Sequence, residues 1–147
     1  MTGKRVSYTL DSTLESVNTV EQLVEKFAAD SGFPEEERHK ISIAVREASV
    51  NAVLHGNAYD PTKKVTVGFD TTGESLVISI ADQGRGLNPE EIPDPLAPEN
   101  LLKQSGRGIF LIRTFMDEVR FRTLNPGTEI TLIKRRGAPA DRKEGPQ

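Results

Sequence analysis

Residues 46–56 read Arg46-Glu47-Ala48-Ser49-Val50-Asn51-Ala52-Val53-Leu54-His55-Gly56, the closing turns of an amphipathic helix. Glu47, Asn51 and His55 recur at four-residue steps, which stacks their side chains along one face. Ala44, Val45, Ala48 and Ala52 lie beside that face and suit packing onto a sheet. A carboxylate, an amide and an imidazole on one stripe form a candidate catalytic or metal-holding edge. Asparagine is a mediocre helix former and needs a reason to sit mid-helix. The plainer alternative is a solvated face with His55 capping near the C-terminus.

Upstream of this stretch, Arg5 to Leu10 alternates polar and apolar residues and predicts a strand. Ser12-Thr13-Leu14-Glu15 fits a capping box, with Ser12 as N-cap. A helix to about Asp30 follows, with Leu14, Val17, Val20, Leu23, Val24, Phe27 and Ala28 on its apolar face. Gly32 is placed to end it, and Pro34 to open the helix that carries Glu47. Glu35, Glu36 and Glu37 then meet the positive end of that second helix.

Downstream, Lys64 to Asp70 and Ser75 to Ala81 read as two strands with a turn at residues 71–74. Asp82-Gln83-Gly84-Arg85-Gly86 follows directly. A carboxylate just past a strand end is held rigidly and can accept from a ligand amine, such as that of adenine. Glycines there permit positive φ and close approach of backbone to a ligand. A tight turn with Asp82 bonded to its own backbone is the alternative. Pro89, Pro93, Pro95 and Pro98 exclude a regular helix or central strand over the next stretch, which has the character of a lid or binding loop. Ser105-Gly106-Arg107-Gly108 precedes a short apolar helix (Ile109, Phe110, Leu111, Ile112, Phe115, Met116). Glycines at a helix N-terminus expose N–H groups to an anion, and Arg107 adds charge. An ordinary cap by Ser105 is the alternative. The run is neither a Walker loop nor a dinucleotide fingerprint. Val119 to Leu124 and Thr128 to Lys134 are the last two strands, joined by Asn125-Pro126-Gly127. Segregated helices and hairpin-linked strands predict an α+β two-layer sandwich, its sheet mixed and mostly antiparallel, with three main helices on one face.

The 147 residues suffice for one domain, residues 1–136, followed by a low-complexity tail, 137–147, expected to be disordered. With 19 basic and 22 acidic residues the net charge is −3, which does not suggest direct nucleic-acid binding. The absence of cysteine excludes disulfides and thiol catalysis. No apolar run approaches the roughly 20 residues of a membrane helix, and no signal peptide is evident. No membrane association and a cytoplasmic location are the expectation.

Glu47-x-x-x-Asn51-Ala52-x-x-His55-Gly56, Asp82-x-Gly84-x-Gly86 and Gly106-x-Gly108 together resemble the three nucleotide-binding boxes of the GHKL (Bergerat-fold) ATP-binding proteins. That family includes gyrase, Hsp90, MutL and the histidine kinases. The single-domain length, the Asn-Ala-Val-x-His-Gly run and Phe115-Met116-Asp117-Glu118-Val119 resemble the small bacterial anti-sigma factor serine/threonine kinases. The resemblance covers roughly residues 5–135.

The resemblance implies that Asn51 binds Mg²⁺ bridging the ATP phosphates and that Glu47 is general base for a substrate hydroxyl. It implies that Asp82 takes the adenine amino group, with Gly84 and Gly86 shaping the pocket and Thr128 near adenine. The segment from about Asn88 to Gln104 would be the ATP lid, and Ser105, Gly106, Arg107 and Gly108 would cradle phosphates. Relatives of this kind bind a sigma factor, phosphorylate a serine on an anti-anti-sigma (antagonist) protein, and work as homodimers. Gln104 stands where relatives often carry arginine, which leaves Lys103 or Arg107 to meet the γ-phosphate. No histidine-kinase dimerisation segment and no transducer domain are present in the sequence, which argues against a histidine kinase, gyrase or MutL. The rival reading is a non-catalytic, sequestering regulatory module of the same fold.

Overall fold

A computed structural model of the chain describes residues 4–71, 73–84 and 104–136, with the backbone path alone for 104–107. The elements run β1 (Arg5–Asp11), α1 (Leu14–Asp30), α2 (Glu35–Val50), a π-helical turn (Asn51–Gly56), β2 (Lys64–Asp70), β3 (Ser75–Ala81), α3 (Gln104–Phe115), β4 (Glu118–Leu124) and β5 (Gly127–Arg135). The five strands form one sheet in the order β1-β2-β3-β5-β4, and every pairing is antiparallel. The α+β class is as expected; the sheet contains no parallel pair among the described residues. The lid stretch, Gly86 and the tail 137–147 lie outside the described residues.

Alternation in the strands decides which sheet face is covered. Val65, Val67 and Phe69 of β2, Leu76, Ile78 and Ile80 of β3, and Ile130 and Leu132 of β5 are buried together with Val17, Val20, Val24, Phe27, Ile41, Val45, Ile109 and Ile112 of the helices. Phe27 stacks on Phe69 at 4.6 Å and Tyr8 meets the same ring edge-on at 6.1 Å. Removing a phenyl ring as buried as Phe69 costs about 3–5 kcal/mol. Leu14, expected on the inner face of α1, is half exposed instead.

Local chemistry sets the helix ends. Thr13, not Ser12, caps α1: its Oγ1 accepts from the Ser16 N–H at 3.1 Å. Ser12 is drawn inward because a buried asparagine needs its hydroxyl, as described below. At the other end Phe33 N–H donates to Ala28 O and Gly32 N–H to Ala29 O, with Gly32 at φ +88°. That is the double bond of a Schellman stop, which glycine adopts without strain. Buried Phe33 then pins the α1–α2 corner. Pro34 is the N-cap of α2, and Glu35, Glu36 and Glu37 fill its first turn. α2 lies between α1 and α3 and faces the sheet with Ile41, Ala44, Val45 and Ala48.

Candidate functional site

α2 does not end as an α-helix. From Asn51 the hydrogen bonds lengthen: Asn57 N–H donates to Ala52 O and Tyr59 N–H to Val53 O. Such π turns hold more residues per turn than an α-helix and cluster at functional sites. Asn51 N–H still reaches Glu47 O and Ala48 O, so the α-helical step from Glu47 to Asn51 survives. His55 falls within the π turn, and its side chain is exposed.

That pair faces the third glycine segment. A Cβ built on Gly108 would lie 3.0 Å from Glu47 Oε1 and 3.8 Å from Asn51 Nδ2. Gly108 thus leaves the room in which the carboxylate and amide sit. α3 begins at Gln104, so Ser105, Gly106, Arg107 and Gly108 occupy its opening turns and do not precede it. Its first four N–H groups still lack helical acceptors, as at any helix N-terminus. The side chains of Ser105 and Arg107 lie outside the described residues.

The other end of the π turn meets Asp82. A Cβ on Gly56 would overlap the Asp82 carboxyl at Oδ2, and one on Gly84 would overlap the Gly56 carbonyl. On the far side, Gly127 at φ +111° leaves no space for a Cβ against the Asp82 carbonyl. Two of these close approaches, at Gly56 and Gly127, meet Asp82, and the third packs Gly84 on Gly56. The Asp82 backbone N–H donates to Thr128 O at 2.9 Å, while Oδ1 accepts from Gly84 N–H at 2.9 Å and Thr128 N–H at 3.3 Å. Oδ2 receives no hydrogen bond from a described residue. Burial pushes the Asp82 pKa above the ordinary carboxylate value, against the pull of those two N–H groups and of the Lys63 charge. Beside it, Thr128 Oγ1 is buried with no partner.

Asn51 and Gly56 are five residues apart, about 7 Å along a helix axis. The Glu47–Asn51–Gly108 group and the Asp82–Thr128 group therefore stand at the two ends of one turn. Residues 10–134 match the family model for the histidine kinase-like ATPase domain. The chain belongs to this family. Similar curated proteins include an anti-sigma F factor of Anoxybacillus flavithermus, 38% identical over 104 residues, with 67% of this chain and 70% of that protein covered. A serine-protein kinase RsbW of Bacillus licheniformis is 31% identical over 126 residues, 82% of this chain and 78% of that protein. Among solved structures, the RsbU and RsbW domains of Rv1364c from Mycobacterium tuberculosis superpose over 90% of this chain with a TM-score of 0.65 and 22% identity. This chain spans 32% of that protein, and the likeness carries the fold.

A histidine kinase-like ATPase domain binds ATP, and the side chains fit that nucleotide. Among the described residues nothing donates to Asp82 Oδ2, which can therefore accept from an exocyclic amine, and the Thr128 hydroxyl is buried without a partner. Among the described residues no group of three or more His, Cys, Asp or Glu could hold a metal. The oxygen donors of Asn51 and Glu47 fit a magnesium ion, which keeps waters and substrate phosphates as most of its ligands. No helix among the described residues is long and apolar enough to cross a membrane.

Sequence reasoning passed over Asn57 and Gln83. Asn57 is 1% exposed and tied to three other segments. Polar character in an otherwise terminating Gly56-Asn57 pair was the available signal, but nothing local distinguishes a buried asparagine from a turn asparagine.

Proposed function

We propose that this chain is an ATP-dependent serine/threonine protein kinase of the anti-sigma type, which sequesters a sigma factor and phosphorylates an anti-anti-sigma partner on serine. The observation that carries this reading is the closeness of Gly108 to Glu47 Oε1, a carboxylate beside the opening turns of α3, where a helix N-terminus favours phosphate. The names of the relatives support the same reading.

In this reading Asp82 Oδ2 accepts from the adenine amine, Thr128 contacts the base, and Gly84 and Gly86 allow it close to the backbone. Ser105, Gly106, Arg107 and Gly108, in the opening turns of α3, cradle the phosphates, with Lys103 or Arg107 on the γ-phosphate. Asn51 holds Mg²⁺, which when bound neutralises phosphate charge. Glu47 takes the proton of the partner's serine hydroxyl as its oxygen bonds to the γ-phosphorus; the bond to the β-phosphate oxygen breaks and ADP leaves. Positioning and charge supply most of the rate enhancement. The sigma-factor partner places the chain in the cytoplasm, and it acts as a homodimer.

Incubation with labelled Mg-ATP and a candidate antagonist domain tests the proposal. Wild type should transfer label to serine, and Glu47→Ala should keep nucleotide binding while losing about 10²–10⁴-fold in transfer. Full activity in that variant removes Glu47 from the base role. Nucleotide binding by wild type without any transfer leaves the sequestering module.

A further inference from the structure

Asn57 is the most fully engaged buried polar side chain in the structure. Its Oδ1 accepts from the Gln83 N–H at 2.7 Å. Its Nδ2 donates to Ser12 Oγ at 2.8 Å and to Lys64 O at 3.0 Å. Ser12 Oγ in turn donates to Lys63 O at 2.6 Å, so it can only accept from the amide. Gln83 Oε1 accepts from Lys64 N–H at 2.6 Å. The two amides thus grip the N–H and the C=O of Lys64 at the start of β2. Only one orientation of the Asn57 amide satisfies all three of its bonds, and that orientation aims its oxygen at the peptide following Asp82.

The turn 82–84 is fixed at three successive N–H groups. Asp82 N–H goes to Thr128 O, Gly84 N–H goes to Asp82 Oδ1, and Gln83 N–H goes to Asn57. The first belongs to the β3–β5 side and the second is internal to the turn. Asn57 ties the backbone of the turn to the π turn and to β2, beside the bond from Lys64 N–H to Gln83 Oε1. Without Asn57 the peptide between Asp82 and Gln83 loses its acceptor, and Gly84 N–H, one of the two donors that hold Asp82 Oδ1 and so orient Oδ2, can shift with it.

We propose that Asn57 is the positioning residue for base recognition: by holding the Gln83 N–H it aims Asp82 at the purine amine and sets the preference for adenine over a 6-oxopurine. This rests on the reading of Asp82 as the adenine acceptor. Asn57 does not touch the nucleotide, and the phosphate end of the site, at Glu47, Asn51 and Gly108, does not depend on it.

The test compares dissociation constants for Mg-ATP and Mg-ITP in the full chain. ITP has the same triphosphate but a carbonyl in place of the amine. Wild type should prefer ATP. Asn57→Ala should lower that preference about tenfold, the size of one well-placed hydrogen bond, while ITP affinity stays near wild type. Asn57→Asp keeps an acceptor for Gln83 N–H and should restore most of the preference despite a lower melting point. Ser12→Ala removes one tether of the Asn57 amide and should lower the preference in the same direction, and it decides the matter if Asn57→Ala does not fold. A uniform weakening of both nucleotides, or an unchanged ratio in these variants, overturns the proposal when Asp82→Ala abolishes the preference. If Asp82→Ala leaves the ratio unchanged, the base assignment itself has failed.

Discussion

Replacing Asp82 by asparagine should reverse the nucleotide preference of this protein without weakening its fold. Two backbone N–H groups, of Gly84 and Thr128, point at Oδ1. An asparagine at this position must turn its carbonyl oxygen toward them, because an NH₂ group there would leave two partly buried donors facing donors. Its NH₂ then takes the place of Oδ2 and opposes the adenine amine. The variant loses a hydrogen bond to a charged acceptor, worth about 1.5–3 kcal/mol, or roughly 10–150-fold in affinity. Donor–donor opposition adds to this loss. The oxygen of hypoxanthine, by contrast, gains a donor. At ATP about 100-fold above the wild-type Kd, ligand stabilisation is about 2.7 kcal/mol; a Kd about 100-fold weaker leaves about 0.4 kcal/mol. Thermal shift with ATP and with ITP reads both changes.

Stability of the ligand-free protein moves the other way. Burial raises the folded-state pKa of Asp82, so the native state holds this proton more tightly than the unfolded chain. Its contribution to stability is present at low pH and is lost as pH rises from the unfolded value through the raised one. The neutral amide does not titrate. The melting point of Asp82→Asn relative to wild type should therefore climb as pH rises from about 3 toward neutrality. Unchanged ATP affinity in this variant, with no gain for ITP, would falsify the assignment of Oδ2 to the base.

Gly108→Ala should leave the melting point equal or higher, since alanine in a helix gains up to about 1 kcal/mol over glycine. Its Cβ would stand 3.0 Å from Glu47 Oε1, so phosphoryl transfer should fall while nucleotide affinity changes little; equal kinetics would show that Glu47 has other room. Gly127→Ala forces a positive φ on alanine and drives its Cβ into the Asp82 carbonyl, so urea melts should show a loss of at least about 1–3 kcal/mol together with weaker ATP binding. Glu37→Gln breaks the 3.0 Å pair with Lys134, whose hydrogen bond holds the Glu37 carboxyl below its ordinary value. The stability it contributes, up to about 1 kcal/mol, is present above the unfolded carboxylate value and lost as pH falls through the folded one. The melting-point gap to wild type should therefore be open at pH 7 and close toward pH 3.

Much of this molecule is written locally. The alternation of Val65, Val67 and Phe69 and the three- and four-residue spacing of Val17, Val20, Val24 and Phe27 mark strand and helix because burying one face needs those periods. The α+β class follows from the order of those elements. The acceptor at Asp82, the amide at Asn51 and the glycines were likewise legible, as residue types at set separations. What the periods could not specify is how distant backbones approach one another. The choice of Thr13 over Ser12 as cap and the burial of Asn57 depend on partners 26 to 51 positions away, and the π turn at 51–56 on how α2 meets β2 and the turn at 82–84. Gly56, Gly84 and Gly127 read as turn glycines in the chain; in space Gly56 lies against the Asp82 carboxyl, Gly127 against its backbone carbonyl and Gly84 against Gly56. Sequence determined which groups are available to a nucleotide; tertiary packing decided which oxygen of Asp82 is left without a donor among the described residues, because only the assembled fold brings the Thr128 N–H to the oxygen that the local Gly84 N–H already meets.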